Sequence, residues 1–201
     1  MGGSTQGTTL QNGGCLTKGQ NSTKQPKKVH KMADRICYFA YGSNMFSPRL
    51  RAAGRTPSAV AIGTGFVEGR RLTFDKVSSD GSGKCDIEVT DNLSDRVYGV
   101  LYEIDKSEKS ALDKIEGLDK GYKEELVNVL TGSGTYKAVA YVATSKEPGL
   151  RPYYWYKALV VAGAAEHDLP EAYVEWIRTV DSKPDPKVGR SAENEKLLFG
   201  G

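Results

Sequence analysis

The chain is poor in the residues that build metal sites and disulfide frameworks. It has only two histidines in 201 residues, His30 and His167, and neither a Cys-x-x-Cys nor a His-x-x-x-His spacing. That argues against a structural or catalytic zinc site, and no metal or other cofactor is expected. Its three cysteines, Cys15, Cys37 and Cys85, are odd in number and unpaired in spacing, which fits a reducing cytoplasm better than a secreted protein. Long apolar runs are also missing: nothing approaches the roughly 20 residues of a membrane span, and the N-terminus lacks the apolar core of a signal peptide. Gly2 invites lipid attachment, but the pattern wants Ser or Thr at position 6 and finds Gln6, so no anchor is expected. Acidic residues are absent from 1–31, which hold Lys18, Lys24, Lys27, Lys28 and Lys31, leaving 23 basic against 25 acidic side chains in the remainder. A near-neutral folded part argues against nucleic-acid or membrane partners for it.

The apolar fraction, 38%, is below the globular average, and the shortfall lies at the two ends. Residues 1–33 are Gly, Ser, Thr, Gln, Asn and Lys with few large apolar side chains, and burial there cannot offset the entropy of ordering. The expected organisation is therefore a disordered tail over 1–33, one domain over 34–181, and a loosely ordered tail over 182–201, where Pro184 and Pro186 appear.

Within the domain, Ile36 to Phe39 form an apolar run that reads as a buried strand, with Cys37 in the core. Tyr41-Gly-Ser-Asn44 breaks it, and Ser47-Pro48 reads as a helix N-cap and first position, with Gly54 as the stop. Residues 60–65 and 66–74 alternate as strands meeting at a glycine bend, and 85–90 and 97–104 follow as two more. Residues 105–117 switch to helical period, with Ser107 as a cap and Gly117 just past the end. Strands over 124–130 and 135–144 flank a Gly-Ser-Gly turn, and helices are predicted over 158–165 and 170–180, with His167 in the polar loop between them. Glycine-rich turns separate strand from strand more often than strand from helix, so an α+β fold on a curved mixed or antiparallel sheet fits better than a doubly wound one.

The stretch from Arg35 to Asn44 is the most informative. A strand, a tight polar loop and a helix start turn several backbone N–H groups in one direction, which makes a cradle for a carboxylate or a developing oxyanion. The same pattern also serves as an ordinary strand-to-helix connection.

Four motifs together carry more. Tyr38-Phe-Ala-Tyr-Gly-Ser-Asn44, Val97-Tyr-Gly-Val-Leu-Tyr102, Leu112-Asp-Lys-Ile-Glu-Gly117 followed by Gly121-Tyr122, and Gly163-Ala-Ala-Glu-His-Asp-Leu-Pro170 resemble the γ-glutamylcyclotransferase family in order and spacing, over roughly residues 36–180. The resemblance implies a small barrel-like sheet with flanking helices, a homodimer, and conversion of a γ-glutamyl substrate to 5-oxoproline with release of an amine. It implies that Glu116 is the catalytic carboxylate, that Tyr41, Gly42, Ser43 and Asn44 form the substrate-binding loop, and that Tyr156 contacts substrate. The loop reads Tyr-Gly-Ser-Asn where the γ-glutamylamine branch has Tyr-Gly-Thr-Leu, which favours γ-glutamyl amino acids.

Such a reaction needs no protein nucleophile. The substrate's own α-amine attacks the γ-carbonyl, and intramolecular attack reaches effective concentrations of about 10⁵ to 10⁸ M. One carboxylate can take the amine's proton and return a proton to the leaving nitrogen. An ordinary Glu lies about 3.5 pKa units below an α-amine, a gap of about 5 kcal/mol that burial and a helix C-terminus both narrow. By itself, a glutamate at position 116 would face solvent and pair with Lys120. Tyr122 and Tyr156 are read either as hydroxyl donors or as walls for the glutamyl chain. Two alternatives stay open: a non-catalytic module that binds a γ-glutamyl group or small carboxylate, and a cyclotransferase acting on glutathione or γ-glutamylamines.

Overall fold

A computed structural model describes residues 34–199 of the chain. The predicted disorder of 1–33 lies outside the described residues.

Among the described residues, seven strands and five helices follow one another. The strands are β1 (Arg35–Ala40), β2 (Val60–Glu68), β3 (Arg70–Val77), β4 (Gly83–Val89), β5 (Arg96–Asp105), β6 (Tyr122–Thr131) and β7 (Gly134–Ala143). The helices are α1 (Ser47–Leu50), α2 (Lys109–Glu116), α3 (Tyr154–Glu166), α4 (Glu171–Thr179) and α5 (Val188–Phe199). Five strands close a barrel in the order β1-β5-β2-β6-β7. All its pairings are antiparallel except the closing one, where β1 runs parallel to β7 at Tyr38 and Val139. Closure removes the exposed edges that an open sheet of this size would present. The α+β barrel with flanking helices is thus the expected fold.

β3 and β4 form a separate hairpin beside the barrel. The bend between β2 and β3 falls at Gly69, with φ +67°, rather than at Gly65, which stays inside β2. The hairpin is tied down by Asp86, whose carboxylate is almost wholly buried and accepts the Ala143 N–H at 2.7 Å. This tie brings Cys85 up against the end of β1.

Local chemistry places the two elements that matter most. After β1 a short 3-10 turn, Ser43–Met45, leads into α1. Ser47 does not cap α1: the cap position is Phe46, and the Ser47 hydroxyl instead contacts the Tyr102 hydroxyl at 3.2 Å. Helix α1 ends at Leu50, one turn before Gly54. α3 presses on this turn at Gly163, where a Cβ would lie 2.4 Å from the Phe46 nitrogen, so only glycine permits the approach. α2 is anchored by the fully buried Leu112. It stops at Gly117, which takes the left-handed conformation with φ +70° while Leu118 N–H bonds back to the Asp113 carbonyl at 2.9 Å. Ser107 makes no side-chain cap, since a 3-10 turn over Lys106–Glu108 precedes the helix.

Two expectations need correction. Cys37 is only partly buried, because it lies in the more exposed first half of β1; among the described residues the wholly buried cysteine is Cys85. The stretch after residue 181 is not a loose tail throughout, for it carries α5. Its anchor is polar, which is why low apolar content misleads. The Asp185 side chain is inaccessible to solvent, accepts the Trp155 indole N–H at 2.8 Å and takes a bidentate fork from Arg190 at 2.5 and 2.6 Å.

Candidate active site

The end of β1, its following turn, the C-terminus of α2, the start of β6, β4, β7 and α3 converge on one cavity. Tyr38, Tyr41, Gly42, Ser43, Asn44, Cys85, Glu116, Tyr122, Tyr141 and Tyr156 line it. Every residue singled out in the sequence as catalytic or substrate-binding is therefore on this wall. Tyr38, Cys85 and Tyr141 are additional members that pattern reading passed over.

Glu116 turns inward, away from Lys120. Its carboxylate accepts the Asn44 side-chain amide in a short hydrogen bond. The same Asn44 nitrogen donates to the Tyr38 hydroxyl at 3.0 Å, and the Asn44 carbonyl oxygen accepts from Arg55 at 2.7 Å. Arginine is donor-only and an ionised carboxylate acceptor-only, so the two neighbours fix which way the amide points. Arg55 thereby orients Asn44, and Asn44 orients Glu116.

Burial pushes the Glu116 pKa up from the ordinary glutamate value, while Arg55, Arg49, the Asn44 amide and Lys76 all pull it down. The upward effect wins. Its place on the last turn of α2, at the negative end of the helix dipole, acts in the same upward direction. This is the direction that brings a carboxylate closer to the basicity of an amine.

The tyrosines form the other walls, and burial raises Tyr38, Tyr41, Tyr122 and Tyr156 well above the ordinary phenol value, so all remain hydroxyls. Tyr41 donates to the Tyr141 backbone carbonyl. Tyr122 donates to the Cys85 carbonyl at 2.7 Å, and Tyr156 accepts the Cys85 N–H at 3.1 Å. These two hydroxyls point inward and grip one backbone unit of β4, rather than lying at the surface. The Cys85 thiol itself is pushed up to about 12 by burial, which rules it out as a thiolate nucleophile. Gly42 lines the cavity with no room for a side chain: a Cβ there would meet the Cys85 Cβ at 3.1 Å and the Tyr156 hydroxyl at 3.3 Å. The N–H groups of Ser43 and Asn44 open the 3-10 turn and have no acceptor among the described residues.

The far side of the loop is fixed by the barrel and by α3. Tyr102 donates to the Met45 carbonyl at 2.7 Å and contacts His167 Nε2 at 2.9 Å, and the Ser47 N–H donates to Glu166 at 2.8 Å. His167 is thus a brace for the loop rather than a free polar loop residue. Among the described residues, no helix is long and apolar enough to cross a membrane.

Comparison with known proteins bears on the family and the fold. The AIG2-like family model matches residues 96–177, which include Glu116, Tyr122 and Tyr156. The γ-glutamylcyclotransferase of Bos taurus is 30% identical over 169 residues, covering 82% of this chain and 88% of that protein, and that of Mus musculus is 31% identical over 171 residues with the same coverage. A solved structure described as γ-glutamyl cyclotransferase superimposes with a TM-score of 0.73 at 30% identity, spanning 84% of this chain and 100% of that one. On these likenesses, the chain belongs to the γ-glutamylcyclotransferase family.

Proposed function

We propose that the protein converts γ-glutamyl amino acids to 5-oxoproline and the free amino acid, with Glu116 as the proton carrier. The observation that carries this reading is the Asn44–Glu116 contact, which joins the loop that would hold the glutamyl group to the one carboxylate lining the cavity.

Glu116 takes a proton from the substrate's α-ammonium. The freed amine attacks the γ-carbonyl carbon of the same glutamyl group, a C–N bond forms, and a five-membered ring closes. The ring nitrogen, which after attack carries two hydrogens and a positive charge, gives up one of them; Glu116 returns the proton it took to the original amide nitrogen, the old C–N bond breaks as the tetrahedral carbon collapses to the lactam, and the released amine takes up the second proton. Holding the glutamyl chain folded back supplies the intramolecular advantage. The N–H groups of Ser43 and Asn44, without an acceptor among the described residues, are suited to negative charge on the substrate, and an oxyanion donor is worth about 10² to 10³ in rate. Tyr38 accepts from Asn44 and keeps its own proton to donate into the cavity. Tyr41, Tyr122 and Tyr156 shape the walls.

The reading carries with it a cytoplasmic setting, supported by the free thiols of Cys37 and Cys85, and a homodimer, which light scattering would check. Incubation with γ-glutamylalanine, glutathione and a γ-glutamylamine, with detection of 5-oxoproline and the released amine in equal amounts, tests both activity and leaving group. The expected order favours γ-glutamylalanine. Saturable binding of all three without product would overturn the assignment.

A further inference from the structure

The inward face of β3 reads Leu72, Phe74, Lys76: two buried apolar residues and then, where the alternation calls for a third, a lysine that is 8% exposed. A bulge against β4, between Thr73 and Lys76, lies immediately before it, and bulges of this kind re-aim side chains beside active sites. The nearby aspartates make their close ion pairs with other lysines. Asp80 pairs with Lys84 at 2.9 Å, and Asp75 and Asp86 face Lys146 at 3.6 and 3.3 Å. Among the described residues Lys76 has no ion pair; its ammonium lies 4.5 Å from the ring centre of Tyr122, a wall of the cavity, and attracts Glu116. Space is kept for it at Gly121, where a Cβ would come within 2.9 Å of the Lys76 Nζ. A buried cation without a hydrogen-bonded anion is unfavourable, so a site that retains one is poised for a ligand that supplies the anion.

We propose that Lys76 binds the carboxylate of the leaving amino acid, and so selects γ-glutamyl amino acids over γ-glutamylamines. The inference rests on the reading of Glu116 above. The ten residues lining the cavity do not include Lys76, whose ammonium lies over the ring of Tyr122, one of those ten, and so stands next to the cavity wall. In an α-amino acid the carboxylate is two bonds from the nitrogen that Glu116 protonates, so a cation whose field reaches Glu116 is well placed to meet it.

The test compares γ-glutamylalanine with γ-glutamylethylamide, which has no carboxylate on its leaving half. Dissociation constants are measured with Glu116→Gln, which does not consume the ligand, alone and combined with Lys76→Met or Lys76→Arg. Steady-state KM and kcat are measured for both compounds with wild type and the single Lys76 variants. Lys76→Met is expected to weaken γ-glutamylalanine about 10- to 100-fold, the usual span for a charge-assisted hydrogen bond, through KM. It should change the dissociation constant of γ-glutamylethylamide less than about twofold, and this second ligand also reports that the variant is folded. Lys76→Arg should keep the preference. Equal weakening of both ligands, a fall confined to kcat, or a wild type that binds the two alike would overturn the proposal. Failure of wild type to make 5-oxoproline from any compound would instead overturn the cyclotransferase reading, and the binding comparison would still decide the role of Lys76.

Discussion

Asn44, in the turn that follows β1, donates its side-chain amide to Glu116 on the last turn of α2, 72 residues further along the chain. Through this one contact a loop whose Ser43 and Asn44 N–H groups have no acceptor among the described residues and a carboxylate of raised pKa share a cavity, and Arg55, bonded to the other end of the amide, keeps it from turning over. The account of the site depends on that relay from guanidinium to amide to carboxylate.

Breaking the relay at its outer end should therefore act on the chemical step. Arg55→Met leaves the Asn44 carbonyl without its 2.7 Å donor and is expected to lower kcat about 10-fold or more with little change in KM. Asn44→Ala removes the contact itself and should cost at least as much. Steady-state kinetics with γ-glutamylalanine check both, and a pure KM effect in Arg55→Met would show that Arg55 binds substrate instead.

Ionisation of Glu116 should also be visible in stability. Burial raises its folded-state pKa above that of the unfolded chain, so the folded state holds the proton more tightly and stability falls as pH rises through that window. At pH 7.5 the charged form then costs stability, which Glu116→Gln relieves. The variant is expected to melt higher than wild type by a few degrees, at about 2–4 °C per kcal/mol for a domain of this size, with the difference closing as the pH is lowered through the glutamate range. Melting curves across that range check it. A variant less stable than wild type at neutral pH would show that Arg49, Arg55, Asn44 and Lys76 outweigh burial.

Gly42 is predicted to be a steric requirement. In Gly42→Ala the new methyl meets the Cys85 Cβ at 3.1 Å and the Tyr156 hydroxyl at 3.3 Å, close enough to narrow the cavity without overlapping the main chain. Substrate affinity should fall about 10-fold or more, while the melting temperature moves by only a few degrees. Parallel calorimetry and thermal melts separate the two effects.

The polar latch on α5 makes a prediction away from the site. Asp185→Ala removes the acceptor of both Trp155 and Arg190, so residues 188–199 should exchange amide hydrogens about 10-fold faster or more, while β1 and β5 keep their protection. Hydrogen exchange read by mass spectrometry resolves the two regions.

Much of this was legible in the sequence because the informative features are local. The strand, loop and helix around Tyr41-Gly-Ser-Asn44, the switch to helical period before Gly117 and the strand-like run 97–104 in β5 each rest on neighbouring residues, and the structure realises all three. Glu116 is the intermediate case: its position on the last helical turn could be read, but whether it faced Lys120 or the interior depended on Asn44, a long-range partner. What escaped reading was set by contacts between distant segments. Cys85 enters the site because Asp86 ties the hairpin to β7, and α5 is held by a buried aspartate where apolar residues are scarce. Lys76 carried a signal, since the Leu72–Phe74 alternation already puts it on the inner face of β3, but its isolation emerges only once Asp80 and Asp86 are seen to be occupied by other lysines.

The most direct test of the whole account is the rate of 5-oxoproline formation from γ-glutamylalanine by wild type and Glu116→Gln, with folding verified by circular dichroism. A general acid and base contributes about 10² to 10⁴ in rate, so the account predicts a loss of that size in kcat with the fold and ligand binding retained. A folded Glu116→Gln protein that still turns over at the wild-type rate would contradict it.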